Sequence, residues 1–359
     1  MRVLIAGGGT GGHLFPGIAI ADEFRRRGNH PVLFVGTTRG IESRAVPAAG
    51  YELATLEISG IKRMGLMGTL RGLFRLPLAV LNSIGILWKF RPDVVLGVGG
   101  YASGPLVFTA ALLGYPTAIQ EQNSVPGITN RALAFLVRKI FIAFDQAADV
   151  FPRKKIERLG NPVRQAIVEA LSAPPRPANA RPCVLIVGGS QGAKAVSDLV
   201  LGSVEILRNQ PNFPHIVHQT GAADADRVKA RYAELNVDVE VRPFIDTMAE
   251  AYKQADLVIG RAGALTLAEL ALAARPAILI PLPTAADDHQ TKNAQQLATA
   301  GAAILLNQRT STSQDLATAI QKILGDQATQ ASMSAAMQSL AKPTATNDIV
   351  DRLEKLARR

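Results

Sequence analysis

Short apolar runs alternate with helical patterns along almost the whole chain. Residues 2–6, 32–36, 93–98, 117–119 and 140–143 form such runs, and between them lie stretches such as Ile18 to Arg27 with apolar positions at helical spacing. Brief apolar strands separated by helices predict βαβ units and a parallel sheet, because parallel neighbours need a crossover element. The alternation pauses near Gly160-Asn161-Pro162, and Ser172-Ala173-Pro174-Pro175-Arg176-Pro177 is a proline-rich connector unsuited to a helix interior or a central strand. It resumes with runs at 183–187, 215–218, 237–241, 257–259 and 277–280. The expected fold is α/β, with two Rossmann-like, doubly wound parallel-sheet domains. After Pro343, Asp348 to Arg359 puts Ile349, Val350, Leu353 and Leu356 on one helical face, with basic residues at the end the helix dipole favours. That pattern predicts a last helix able to return to the first domain.

Two of the strands end in related turns. Val3-Leu4-Ile5-Ala6-Gly7-Gly8 runs into Gly9-Thr10-Gly11-Gly12-His13, and Val184-Leu185-Ile186-Val187-Gly188-Gly189 runs into Ser190-Gln191-Gly192-Ala193. A strand, a glycine turn and a helix start place backbone N–H groups where they can hold a phosphate.

Composition narrows the partners. At 359 residues and 48 % hydrophobic content the chain supports two buried cores, and its single cysteine, Cys183, lies in a strand run and reads as a buried small hydrophobe. A net charge of +10 points to an anionic partner, but 5 % aromatics and no nucleic-acid-binding motif favour lipid or phosphate over nucleic acid. Glycines, His13 and Pro16 interrupt what a signal peptide would keep apolar. Val94 to Ile119 lacks charge, but Gly97, Gly99-Gly100, Gly104-Pro105 and Pro116 break it into strand, glycine loop, buried helix and turn rather than a membrane span.

Several constellations carry candidate chemistry. Gly7, Gly9 and Gly12 satisfy G-x-G-x-x-G, and Arg39 after the second strand suits a 2′-phosphate, which keeps an NADP-dependent oxidoreductase in view. His13 follows the turn, where an imidazole serves as a general base or as a helix-capping or packing group. Asp224-Ala225-Asp226 and Asp287-Asp288 read as helix starts rather than metal sites, and no His/Cys cluster has zinc spacing. Arg261-Ala262-Gly263-Ala264-Leu265-Thr266-Leu267-Ala268-Glu269 opens a helix after a strand, with Glu269 placed for ribose hydroxyls, and Asp288-His289-Gln290 opens another. Between Lys62 and Lys89, basic residues interleave with Leu66, Met67, Leu70, Leu73, Phe74 and Trp88, the pattern of a membrane-surface element or of a basic-edged core helix.

Taken together, Gly7 to His13, Gly99-Gly100-Tyr101-Ala102-Ser103-Gly104-Pro105, Glu121-Gln122-Asn123, Gly160-Asn161-Pro162-Val163-Arg164, Gly188 to Ala193, Arg261 to Thr266 and Asp288-His289-Gln290 closely resemble the MurG family. That family comprises UDP-N-acetylglucosamine transferases that make lipid II for peptidoglycan, and its motifs occur here in family order over essentially the whole chain. The resemblance implies a B-type glycosyltransferase fold, with residues 1–160 and 344–359 forming an acceptor- and membrane-binding domain and 161–343 a UDP-GlcNAc-binding domain across a cleft. It implies inverting transfer of N-acetylglucosamine from UDP-GlcNAc to the muramoyl C4 hydroxyl of lipid I, with no cofactor and no metal. A related glycosyltransferase with another lipid acceptor is the nearer alternative.

The resemblance also implies roles. Ser190 meets the diphosphate, Ile245 the uracil, and Glu269 the ribose; Arg261, Ala264, Leu265, Thr266, Leu267, Ala268 and Gln290 surround the sugar and phosphates. Asn123 and Arg164 complete the donor site, and Thr10, Gly11 and Gly12 face the acceptor's pyrophosphate. His13 is the first candidate for the base and Glu121 the second. Leu66, Met67, Leu70, Leu73, Phe74 and Arg75 are the expected contacts with an anionic membrane surface, at the cytoplasmic face of the inner membrane, where cell-wall synthesis proteins are further partners. Gln120 departs from the family, which often has histidine before Glu-Gln-Asn, and Ala262 stands where serine is also common.

Overall fold

The computed structural model describes residues 1–57, 66–171, 181–189 and 192–358, with side chains of the long helix at 66–90 described from Pro77 onward. The chain divides into two compact units, Met1–Gln165 with Pro343–Arg359, and Ala166–Lys342.

Among the described residues, the first unit holds a seven-stranded parallel sheet: β1 (Val3–Gly7), β2 (Val32–Gly36), β3 (Glu52–Thr55), β4 (Val94–Gly99), β5 (Thr117–Glu121), β6 (Lys139–Ile142) and β7 (Ile156–Arg158), in the order β3-β2-β1-β4-β5-β6-β7. Its helices are α1 (Gly11–Gly28), α2 (Glu42–Ala48), α3 (Leu66–Phe90), α4 (Ser103–Leu112) and α5 (Ile128–Leu133). Successive residues of β1 feed opposite faces, as strand geometry requires: Val3 and Ile5 join one apolar cluster with Leu14, Phe24 and Leu96, whereas Leu4 and Ala6 join another with Leu87, Leu106 and Ile119. The segment joining the two units carries α6 (Gln165–Leu171).

The last helix belongs to this first unit. Helix α14 (Ala345–Ala357) buries Ile349, Val350, Leu353 and Leu356 in the α1 side of the core. Arg27 at the end of α1 ties it down, donating to Asp351 at 2.5 Å and to the Asn347 carbonyl at 3.2 Å.

The second unit repeats the plan with β8 (Cys183–Val187), β9 (His215–Gln219), β10 (Glu240–Arg242), β11 (Leu257–Gly260), β12 (Ala277–Leu279) and β13 (Ala303–Leu305), ordered β10-β9-β8-β11-β12-β13. Helices α7 (Lys194–Leu207), α8 (Ala225–Glu234), α9 (Met248–Gln254), α10 (Ala264–Ala273), α11 (His289–Thr299), α12 (Ser313–Leu324) and α13 (Gln327–Ser339) surround it. Cys183, the single cysteine of the sequence, is buried.

Strands β3, β7, β10 and β13 lie at sheet edges, and the apolar pattern announces them poorly. Glu52-Leu53-Ala54-Thr55 and Ile156-Glu157-Arg158 carry polar residues because an edge strand is only partly covered. The expected run at 237–241 begins in a turn, with Asn236 at φ +55° and the Val237 N–H bonded back to the Tyr232 carbonyl, so pairing starts only at Glu240. No described helix is long and apolar enough to cross a membrane.

Candidate active site

In each sheet the strand order reverses beside the first strand of the unit, between β1 and β4 and between β8 and β11. Such switch points leave a crevice at the carboxyl ends of the strands, where ligands of open α/β sheets bind.

At the first switch point, β1 leads through Gly7-Gly8-Gly9-Thr10 into α1, and β4 leads through Gly99-Gly100 into α4. Thr10 stands at the N-cap of α1 and is exposed with Gly12, while Gly11 and His13 are half-buried. The His13 ring lies against Gly99, whose φ is +95° and where an added Cβ would sit 2.8 Å from Nδ1. Only glycine gives the imidazole this berth.

His13 Nδ1 is 2.9 Å from Gln122 Oε1, on the segment that leaves β5. Gln122 Nε2 donates to the Val98 carbonyl at 2.9 Å and to Gln120 Oε1. Gln120 Nε2 donates to Asn161 Oδ1 at 3.1 Å, and Asn161 Nδ2 returns to the Gln122 carbonyl at 3.0 Å. Gln120, Gln122 and Asn161 are all buried, so three neutral amides underlie the histidine.

Glu121 is placed differently from its candidacy as a base. Its buried carboxylate accepts from the Asn123 N–H at 3.0 Å, the Gly127 N–H at 3.1 Å and Asn130 Nδ2 at 2.9 Å. These bonds organise the loop that carries half-buried Asn123, and reaching a substrate hydroxyl would require breaking them. Arg164 is exposed just beyond Asn161.

The site also contains a carboxylate that the sequence pattern did not expose. Glu42, in the first turn of α2, is fully buried and accepts from the Gly9 N–H at 2.7 Å and from the Thr37 N–H and hydroxyl at 2.8 and 2.7 Å. Burial alone would raise its pKa, but the donors from Gly9 and Thr37 outweigh that and hold it below the usual 4.5. A Cβ on Gly8 would lie 2.3 Å from the carboxyl carbon, so the turn is moulded around this side chain. The amide that a dinucleotide's pyrophosphate would seek is therefore already occupied, and Arg39 is exposed. Both observations weigh against the NADP reading.

At the second switch point, Ser190 lies outside the described residues, between the end of β8 and α7. Gly188 N–H bonds to the Gln219 carbonyl at 2.9 Å, fixing the start of this turn to the end of β9. Arg261, Ala264, Leu265, Thr266 and Glu269 follow β11 into α10. Arg261 is half-buried, and its Nη1 donates to the carbonyls of Ile280 and Pro281 at 2.9 and 3.1 Å, linking the ends of β11 and β12; burial lowers its pKa. Leu267 is 2 % exposed and faces the core, so only its backbone is placed for a ligand; Ala268 is half-buried.

Glu269 Oε2 accepts from the Tyr252 hydroxyl at 3.2 Å, and burial followed by the nearby carboxylate raises the tyrosine pKa well above 10. Ile245 is buried in the loop between β10 and α9, and Gln290 Oε1 accepts from the Leu282 N–H at 3.0 Å. Asp224 stands at the N-cap position of α8 without a capping side-chain bond and pairs with Arg227 at 2.6 Å, while Asp288, at the N-cap of α11, accepts from Thr291. Among the described residues, no group of three or more His, Cys, Asp or Glu side chains is arranged to hold a metal ion.

Comparison with known proteins assigns this arrangement. The family models described as the glycosyltransferase family 28 N-terminal and C-terminal domains match residues 3–142 and 183–352. A protein of Myxococcus xanthus (strain DK1622), named UDP-N-acetylglucosamine--N-acetylmuramyl-(pentapeptide) pyrophosphoryl-undecaprenol N-acetylglucosamine transferase, is 46% identical over 98% of this chain and 92% of its own. The crystal structure of Acinetobacter baumannii MurG superposes with a TM-score of 0.82 at 33% identity, covering 99% of each chain.

The chain belongs to the MurG family.

Membership of the MurG family makes this a UDP-sugar glycosyltransferase of the two-domain B type. The calicheamicin glycosyltransferase CalG4 shares that fold with a TM-score of 0.69 at 15% identity, over 100% of this chain and 98% of its own. Of the described candidates, Thr10 to His13, Glu121 to Asn123 and Asn161 gather around the first switch point and Arg261 to Glu269 follow β11 at the second, whereas Ile245 follows the edge strand β10; Ser190 and the side chains of Leu66, Met67, Leu70, Leu73, Phe74 and Arg75 lie outside those described.

Proposed function

We propose that this chain transfers N-acetylglucosamine from UDP-N-acetylglucosamine to the C4 hydroxyl of the muramoyl sugar of undecaprenyl-pyrophosphoryl-MurNAc-pentapeptide, with inversion, giving lipid II. The observation that carries this reading is the near-full-length match to a relative named for that donor and acceptor, at 46% identity.

We assign the donor to the second unit. The N-terminus of α10, at Ala264, Leu265 and Thr266, offers backbone N–H groups to the diphosphate, to which Ser190 is also assigned, and Glu269 accepts from the ribose hydroxyls. Ile245 meets the uracil through its backbone, and Gln290 donates to the sugar. Arg261 acts by holding the β11 and β12 ends together, since its Nη1 is committed to two carbonyls. Asn123 and Arg164 complete the donor site.

We assign the acceptor to the first unit, its pyrophosphate at Thr10, Gly11 and Gly12 and its C4 hydroxyl at His13. Inversion is a single in-line displacement. His13 takes the hydroxyl proton as the new bond forms at the anomeric carbon, and the bond to UDP breaks with its electron pair leaving on the diphosphate, where the helix amides stabilise the charge. Glu121 keeps the Asn123 loop in place.

A lipid-linked acceptor calls for attachment at the bilayer surface, at the cytoplasmic face of the inner membrane. Leu78, Leu81 and Trp88 are exposed at i, i+3 and i+10 of α3, and Leu112 and Phe135 on and beyond the neighbouring α4 and α5 are 64% and 73% exposed. Exposed Lys89, Arg91, Arg131 and Arg138 accompany them, a combination suited to a monotopic contact with anionic lipid.

Thermal unfolding with added nucleotides tests the donor assignment. A ligand at about a hundred times its Kd stabilises by about 2.7 kcal/mol, so UDP is expected to raise the unfolding temperature and Glu269→Ala to diminish the effect. Stabilisation by NADPH but not by UDP would favour the oxidoreductase instead.

A further inference from the structure

We infer that Gln122 is a positioning residue that holds His13 in the tautomer carrying its proton on Nδ1, which leaves the Nε2 lone pair to receive the proton of the acceptor hydroxyl. The catalytic half of this inference rests on His13 as the base; the tautomer itself does not.

The assignment follows from groups whose hydrogen-bonding sense is fixed. The Val98 carbonyl only accepts, so the Gln122 atom 2.9 Å from it is the amide nitrogen. The other terminal atom, facing His13 at 2.9 Å, is then the oxygen, which also only accepts. Nδ1 must therefore be the donor. A flipped Gln122 would set its oxygen against the Val98 carbonyl and against Gln120 Oε1, two repulsive pairs in place of two bonds, which a single bond from its nitrogen to an unprotonated Nδ1 would not offset.

The deeper network enforces the same sense. Asn161 Nδ2 is fixed as a donor by the Gln122 carbonyl at 3.0 Å, so Asn161 Oδ1 accepts from Gln120 Nε2 at 3.1 Å and Gln120 Oε1 accepts from Gln122 Nε2. All three amides are at most 5 % exposed, so water does not compete for these bonds. Gln120 matters here because an amide cannot change protonation, so the relay keeps one polarity at every working pH. Gly99 completes the arrangement by letting the ring lie against the backbone.

The experiment is a long-range 1H–15N correlation spectrum of the full-length protein labelled with 15N-histidine, recorded above the imidazole titration, with His13 assigned by comparison with His13→Ala. The wild type is expected to show protonated Nδ1 and bare Nε2. Gln122→Met removes the acceptor at similar length and is expected to shift His13 toward the Nε2–H form. It should also lower kcat by roughly tenfold or more, with little change in either KM and with the UDP-induced thermal shift intact. A wild-type spectrum with protonated Nε2 overturns the inference, whether or not the variant folds. So does an unchanged tautomer, or an unchanged kcat, in Gln122→Met. If His13→Ala keeps near-normal turnover, the base assignment fails while the tautomer result is decided independently by the spectrum.

Discussion

The carboxylate of Glu42 accepts the Gly9 N–H at 2.7 Å across 33 residues of sequence. An internal anion thus takes the place that a bound pyrophosphate occupies in a dinucleotide-binding turn, and the remaining amides of the α1 N-terminus, around Gly11 and Gly12, are what the turn presents to a ligand.

Replacing Glu42 by alanine removes the shared acceptor of the Gly9 N–H and of the half-buried Thr37 N–H and hydroxyl, and is expected to destabilise the protein by about 1–3 kcal/mol. Because the folded pKa lies below the unfolded value, the stabilisation is complete above about pH 4.5 and is lost as pH falls through the folded pKa. Urea denaturation of wild type and Glu42→Ala at successive pH values should show a gap that narrows below pH 4.5. A gap independent of pH would mean that the carboxylate's charge is not what the site uses.

His13 and Glu121 should separate cleanly. His13→Ala is expected to lower kcat by about 10²–10⁴ at nearly unchanged melting temperature, whereas Glu121→Gln, which disturbs the bonds to Asn123, Gly127 and Asn130, should cost roughly 1–3 kcal/mol of stability. Parallel turnover and melting measurements decide it. Near-normal turnover in His13→Ala together with loss in a stable Glu121→Gln would reverse the assignment.

His218 gives the second unit its own acid sensitivity. It is buried beside the Tyr232 hydroxyl at 2.9 Å, and desolvation lowers its pKa to about 4. The unfolded chain takes up a proton near pH 6.5 that the native state refuses until about pH 4. Stability is therefore full above pH 6.5 and declines below it, by up to about 3 kcal/mol. His218→Gln should flatten the stability profile between pH 6.5 and 4, and an unchanged slope would count against a neutral buried imidazole.

Membrane attachment should depend on the exposed apolar side chains of α3 and α4. Serine at Leu81, Trp88 and Leu112 is expected to reduce co-sedimentation with anionic vesicles at least roughly tenfold, as loss of about 1.5–3 kcal/mol per large apolar side chain implies, and high salt should weaken wild-type binding. Undiminished binding by the triple variant would place the contact elsewhere.

The central strands were legible because they are buried on both faces and read as continuous apolar runs, as in Val3–Gly7 and Cys183–Val187. The last helix was legible from the spacing of Ile349, Val350, Leu353 and Leu356. The edge strands were less so: Glu52 to Thr55, partly polar and short, escaped the apolar pattern, and the run expected at 237–241 pairs only from Glu240 to Arg242. His13 and the glycine turns announced themselves by local pattern. Glu42 did not, because its partners Gly9 and Thr37 come together only when β1 and β2 pair. The roles of Gln122 and Glu121 likewise depend on side-chain bonds that motif spacing does not encode.

The most direct measurement incubates the purified protein with labelled UDP-N-acetylglucosamine and a lipid I analogue, and follows both UDP release and the anomeric configuration of the product. Transfer to the muramoyl C4 hydroxyl in a β-linkage, with one UDP released per sugar moved, is the predicted result. No transfer to a competent acceptor by folded protein that binds UDP, or a product that retains the donor's configuration, would contradict it.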